Sequence, residues 1–230
     1  MSGKFEGFPK STFKFLQELK NNNNRDWFKE NKSRYEADVL EPSLEFIESM
    51  SSTLKKVSPY FLAVSKRTGG SLIRIYRDTR FSKDKTPYKT NIGIHFRHEF
   101  GKDVHAPGFY IHLEPKECFF GAGIWRPDSV ALKKIRSQIV DACARYRRIS
   151  RSKKLLSEFD FSGDSLKRSP RDFDPEHPLI DELKRKDFFV ISEIPQKHVY
   201  SNALNETAGE KMARSMPLIR FLCDALRLPS

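Results

Sequence analysis

A change of periodicity near residue 60 sets the frame for this chain of 230 residues. Before it, apolar residues recur at helical spacing. After it, apolar and polar residues alternate with period two as far as Trp125. The first pattern buries one stripe of a helix and the second buries one face of a strand. Ser11 or Thr12 can cap a first helix with Phe13, Leu16 and Leu19 on one side, ended by the run Asn21 to Asn24. Asp26, Trp27 and Phe28 open a second that continues through Tyr35, Val39 and Leu40. Pro42 starts a third with Leu44, Ile47, Met50, Leu54 and Val57, which stops before Pro59.

The alternating stretch predicts strands over 60–64, 72–78, 92–97, 108–114 and 118–125. Pro115, Lys116 and Glu117 are short enough to join the last two as a hairpin. Pro127 and Asp128 then begin a long helix with Leu132, Ile135, Ile139, Ala142 and Tyr146 along one stripe. Further on come an extended segment at 159–161, a helix over 179–183 and a strand over 188–194. A final helix passes Met212, Leu218 and Leu222, with Pro217 as a kink or break. The fold class is therefore α+β: a mostly antiparallel sheet flanked by helices, in a single domain over 1–230. Residues 1–59 form its helical part, 60–125 its sheet core, and 126–230 further helices with at least one more strand.

Composition supplies enough apolar mass for such a core, with 38% hydrophobic and 12% aromatic residues. The net charge of +12 is segregated. Residues 126–154 hold ten Lys/Arg against two acids and residues 66–102 hold ten against three, so the remainder is net negative. Segregated basicity suits an anionic partner, either a small anionic molecule or nucleic acid. Cys118, Cys143 and Cys223 are odd in number, far apart and without a CxxC pair, which points to reduced thiols. There is no secretory signal and no long apolar run, so the expectation is a cytoplasmic protein without a membrane partner, with the nucleus as the alternative in a eukaryote.

Period two also sorts the strand side chains by face. Ile73, Ile75, Ile92, Ile94, Phe96, Phe109, Ile111, Leu113, Phe120, Ala122 and Ile124 fall on the apolar side. Arg74, Tyr76, Asp78, Gly93, His95, Arg97, Tyr110, His112, Glu114, Gly121 and Gly123 fall on the other. A merely solvated face is usually Lys, Glu, Thr and Ser. This one offers groups that bind anions and move protons, and its glycines remove bulk where a ligand would approach. The functional site is expected here.

The segment from Arg74 to Lys89 is dense in Arg and Lys, with Asp78 and Asp84 among them. Arginine suits fork-like grip on phosphate or carboxylate, and Asp78 can hold Arg77 and Arg80 in place. Arg74, Arg77, Asp78, Arg80, Phe81, Asp84, Lys85 and Tyr88 stand at the spacing R-x-x-R-D-x-R-F-x-x-[DN]-K-x-x-Y. In this the chain resembles a sparsely spread bacterial and fungal family catalogued only as a domain of unknown function. The resemblance extends to Trp27-Phe28, to the stretch from Gly121 to Pro127, and to the stretch from Pro170 to Pro178. It implies membership of an uncharacterised family and brings no activity, substrate or cofactor with it.

Other chemistries find little support. His95, His112 and Glu114 or Asp78 make a two-histidine, one-carboxylate set, but no HExxH, HxH or DxD spacing backs it, so no metal site is assigned. There is no GxSxG elbow, no Walker loop and no GxGxxG, and Cys118 has no base beside it. His98 and His105 belong to a polar, solvated loop, and His177 and His198 to turns. The expectation is an enzyme-like or ligand-binding domain that grips a phosphorylated or carboxylated small molecule. Arg74, Arg77, Arg80 and Lys85 grip the anion and Asp78 orients them. Tyr76, Tyr88, His95 and His112 handle protons or hydrogen bonds, with Glu114 as a further candidate. The alternative is a nucleic-acid-binding module in which a basic helix over 126–154 tracks phosphates while Phe81 and Trp125 stack on bases. No cofactor is indicated.

Overall fold

The structure, a computed structural model, describes residues 5–101 and 106–230. Its first third is helical: α1 (Lys10–Asn21), α2 (Arg25–Glu30) and α3 (Lys32–Tyr35), which runs on through a π-helical turn at Glu36–Leu40, then α4 (Glu41–Ser49) and α5 (Ser51–Val57). The side chain of Asn24 caps α2 by accepting from the Trp27 N–H at 2.9 Å. The first helix starts at Lys10, ahead of both expected caps, and Thr12 is instead fully buried with its hydroxyl on the Asp38 carbonyl.

Among the described residues six strands then form one antiparallel sheet: β1 (Phe61–Leu62), β2 (Ile92–His98), β3 (Gly108–Glu114), β4 (Glu117–Ile124), β5 (Asp160–Ser162) and β6 (Phe188–Glu193). Their order across the sheet is β1-β2-β3-β4-β6-β5. The hairpin between β3 and β4 turns through Pro115 and Lys116, the latter in the left-handed region at φ 73°. Between and after the strands lie α6 (Ser129–Asp141), α7 (Cys143–Ser150), α8 (Lys153–Leu156), α9 (Ile180–Leu183), α10 (Gln196–Val199) and α11 (Ala203–Leu226).

One face of the sheet is the core. Ile94, Phe96, Phe109, Ile111, Leu113, Phe120, Ile124, Phe188 and Val190 are completely buried there. Full burial of each such side chain contributes about 1.5–3 kcal/mol. α11 crosses this face over β4, and α4 packs on β2 through Phe46 and Phe96, whose rings lie 6.4 Å apart. Lys211 of α11 is also buried and ties the helix to Glu158, at 2.9 Å, and to Ser192 of β6. Pro217 does not break α11, which continues past it for nine residues.

Three expectations are corrected. The strand over 72–78 is absent. Residues 71–90 form an irregular hairpin joined to the sheet by a bridge between Leu72 and Ile94 and closed by one between Tyr76 and Tyr88. The strict alternation fails there because Leu72 and Ile75 both enter the core while Ile73 turns to the opposite face. The long helix from Pro127 is three helices, interrupted at Ala142 and at Arg151-Ser152. His98 is buried, not solvated: it lies against Tyr60, Phe61 and Phe100 with its Nε2 2.7 Å from the Pro229 carbonyl oxygen. His105 lies outside the described residues. All three cysteines are free, and burial pushes Cys118 up to about 11 and Cys223 up to about 12, so neither thiol is a ready nucleophile. No helix among the described residues is long and apolar enough to cross a membrane.

Candidate functional site

The second sheet face is organised by strand register. Gly93, His112, Phe119 and Glu193 form one row across β2, β3, β4 and β6. His95, Tyr110, Gly121 and Ile191 form the next, and Arg97, Gly108, Gly123 and Phe189 the third. Side chains in such rows stand about 5 Å from their neighbours and face the same way. The middle of this grid has almost no side chains, because Gly108, Gly121 and Gly123 occupy it. The result is a half-open cavity of about 360 Å³ with a glycine floor. Phe119, Phe189, Ile191, Trp125 and Ile73 wall it, and His95, Tyr110 and His112 supply its polar groups. The volume lies in the range of small-ligand sites, and so does an apolar lining with a few convergent polar groups.

Each polar group is oriented by neighbours. His95 accepts from the Arg97 Nε–H through Nδ1 at 3.2 Å, which leaves its proton on Nε2. Burial, helped by the Arg97 charge, pushes His95 down to about 4, so it is neutral at pH 7. Gly108 provides its space: a Cβ there would sit 2.4 Å from Nε2 of His95. Burial pushes the Tyr110 phenol up to about 12. Its hydroxyl lies 3.2 Å from Nδ1 of His112, and Nε2 of His112 lies 3.4 Å from Oε2 of Glu114. His112 stacks on Phe119 with centroids 4.7 Å apart and planes 9° apart.

The rim is cationic. Arg97 stands at one edge, and at another the Arg126 guanidinium covers the Trp125 ring at 4.7 Å. The turn that carries this pair is pinned by Asp187, a buried carboxylate that accepts from the N–H groups of Arg126 at 2.7 Å and Asp164 at 2.9 Å.

The sequence matches the family model of a conserved hypothetical protein, DUF2461, over residues 11–221, from α1 into α11. The chain belongs to the DUF2461 family. No curated protein and no solved structure matches it. The family description assigns no activity, so the chemistry of this DUF2461 chain rests on its geometry.

The residues singled out in the sequence separate into two places. His95 and His112 line the cavity and Glu114 stands behind His112. The two histidines are not cross-strand partners, since His95 faces Tyr110 and His112 faces Gly93. Arg74, Arg77, Asp78, Arg80 and Lys85 belong to the hairpin, and of these five Asp78 and Arg80 pair with each other. Arg77 binds Asp84 and Thr86. Arg80 forks onto Asp78 at 2.7 and 3.0 Å, and its hydrogen bonds hold that carboxyl down at about 2. Lys85 donates to the Thr79 carbonyl at 2.9 Å. Asp78 thus orients Arg80 but not Arg77, and it is exposed rather than sunk in the sheet. Of these five residues, Arg74 directly follows a cavity-lining residue, Ile73.

Tyr76 and Tyr88 also lie apart from the cavity histidines. Tyr88 is buried flat on Phe28, centroids 4.1 Å apart, with its backbone held at both N–H and C=O by the Asn23 side chain. Tyr76 packs beside it at 5.4 Å. Both anchor the hairpin to α2.

Sequence reasoning missed Tyr110 as a reactive group and missed the walls Phe119, Phe189, Ile191 and Ile73. The signal for the walls is present in part. Phe119-Phe120 and the run from Phe188 to Ile191 are apolar on both parities, which marks a strand covered on both faces.

Proposed function

We propose that this protein binds a small molecule with a flat apolar body and a phosphate or carboxylate group, in the cavity on the open sheet face. The observation that supports this is the grid itself. Three glycines clear a floor between aromatic walls, two oriented histidines and a tyrosine point into the space, and Arg97 and Arg126 stand at its edge. The walls take the apolar body and the arginines take the anion. Arg74 stands at the opposite end of the grid, next to Ile73, which meets Gly93. The bases farther out in the hairpin are engaged with Asp78, Asp84 and Thr79 and set the loop's shape.

Phenyl phosphate and benzoate, at millimolar concentration, serve as ligands of this description. They are expected to raise the melting temperature and to quench Trp fluorescence saturably. Gly121→Leu fills the floor, where a Cβ meets nothing closer than 3.8 Å. It should therefore melt like the parent yet bind at least tenfold more weakly. If neither compound binds the parent, or if Gly121→Leu binds as the parent does, the cavity is not the site.

A second reading has one specific observation in its favour. Phe81, at the tip of the cationic hairpin, is 95% exposed, with the Arg80 guanidinium 5.8 Å from its ring. Exposed aromatics among bases suit stacking on single-stranded nucleic acid. The 126–154 region adds Lys134, Arg147, Arg148, Arg151, Lys153 and Lys154 on its surface, while Arg136 is buried and Lys133 and Arg145 pair with Asp172 and Asp224. On this reading log K for a short single strand falls with log salt by roughly 0.7 per phosphate contacted. Phe81→Ala weakens binding without changing that slope. Absence of binding at low salt removes this reading.

A further inference from the structure

Tyr110, His112 and Glu114 are alternate residues of β3, so all three project from the same face. They form a chain of phenol, imidazole and carboxylate that starts in the cavity and ends at its margin. The direction of the chain is set by its surroundings. Asn91 presents its side-chain N–H to Nδ1 of His112 at 3.3 Å, so Nδ1 is the lone-pair side. Nε2 then holds the proton and donates it toward Glu114 at 3.4 Å. The Tyr110 hydroxyl, 3.2 Å from Nδ1, is the donor at the cavity end. Lys20 and the Thr90 hydroxyl each donate to Oε1 of Glu114 at 3.4 Å and hold the carboxyl group in place.

Gly93 keeps this arrangement open, since a Cβ at that position would lie 2.8 Å from the Tyr110 oxygen. The stack on Phe119 holds the imidazole plane. The phenol resists ionisation by itself, and a base hydrogen-bonded to it changes that. A base oriented in turn by a carboxylate is the arrangement that activates a hydroxyl side chain in nucleophilic catalysis.

We propose that the cavity is catalytic, with Tyr110 as the residue that takes a proton from a hydroxyl group of the bound phosphorylated or carboxylated molecule. In that step the ligand O–H proton passes to the phenol oxygen while the phenol proton passes to Nδ1 of His112. The imidazolium so formed keeps its Nε2 proton on Glu114, and the ligand oxygen is left as the anion. No net charge is created, because the imidazolium balances the ligand oxyanion. Tyr110 is the catalytic residue, and His112 and Glu114 are positioning residues that act through it. This proposal rests on the cavity being the binding site.

The test is covalent capture of Tyr110 by 4-fluorosulfonylbenzoate, which combines an aryl body with a carboxylate. The phenol oxygen forms a bond to sulfur, the sulfur–fluorine bond breaks, fluoride leaves, and the phenol proton goes to His112. Intact-mass and peptide analysis of the full chain should find one label, on Tyr110, that excess benzoate suppresses. His112→Asn should slow labelling at least tenfold and Glu114→Gln several-fold, with melting temperatures recorded for both. The Glu114 variant alone decides the matter if His112→Asn fails to fold. Labelling spread over Tyr76 and surface lysines, or labelling of Tyr110 at the parental rate in the variants, overturns the proposal. If phenyl phosphate and benzoate still bind while Tyr110 stays unlabelled, the catalytic role alone falls. If neither binds and nothing is labelled, the binding site falls with it.

Discussion

Gly123→Ala is expected to destabilise the protein by about 3 kcal/mol or more. Gly123 has φ 134°, a conformation essentially confined to glycine, which by itself costs a side chain about 1–3 kcal/mol. The added Cβ would also lie 2.1 Å from the Phe188 carbonyl oxygen and 2.6 Å from the Phe189 Cα, both backbone atoms of the neighbouring β6. Neither neighbour is the free end of a side chain, so relief requires the β4–β6 pairing to shift, at a further cost of about 1–3 kcal/mol. Gly121→Ala, two residues earlier on the same face, is the control. Its Cβ meets ordinary contacts and its effect should stay within about 1 kcal/mol. Urea unfolding of both variants checks the pair. Equal midpoints would mean that β4 and β6 approach less closely at Gly123 than described.

The second large effect depends on pH. His95 has a folded-state pKa of about 4 against 6.5 for the free side chain, because its charged form is desolvated and lies beside Arg97. Above pH 6.5 the ring is neutral in both states and adds no pH dependence. As pH falls below 6.5 the unfolded chain takes up a proton that the folded chain refuses, so stability declines through the window from 6.5 down to 4. The loss reaches about 2 kcal/mol at pH 5 and about 3 kcal/mol below pH 4. His95→Gln has no proton to gain and should lack this part of the acid limb. Denaturant midpoints at pH 7.5 and pH 5 for parent and variant measure the difference. If both decline equally, His95 is freely protonated when folded, and the neutral Nε2–H donor in the cavity is lost from the account.

Much of this fold was legible in the chain. Period two over β2, β3 and β4 put Ile94, Ile111 and Phe120 on one face, and all three are completely buried. The same parity put His95, Tyr110, His112, Gly121 and Gly123 together on the other face, where they line the cavity. Parity is a local property, because a strand has only two faces and a buried face tolerates no slip of register. Where the backbone leaves the strand, as from Ser71 to Thr90, the rule had nothing to act on, and Ile73 was placed on the wrong side. The dense cationic motif there was legible as composition, but its partners were not. Asp78 could have paired with any of several cations, and the turn geometry gave it Arg80 while Asp84 took Arg77.

Which strands become neighbours is decided by packing over long sequence distances, and that step made the site. β6, more than sixty residues beyond β4, pairs with it and brings Phe189 and Ile191 to the cavity as its far wall. Nothing local to 188–193 encodes that pairing. It follows from burying Phe188 and Val190 under the same helices that cover β4, and only the folded chain satisfies that burial and the backbone hydrogen bonds together. The sequence by itself determined the alternation, hence the two faces and the chemistry available on each. The tertiary structure decided the register rows, and with them which glycines clear the floor, which rings wall it and which histidine meets Tyr110.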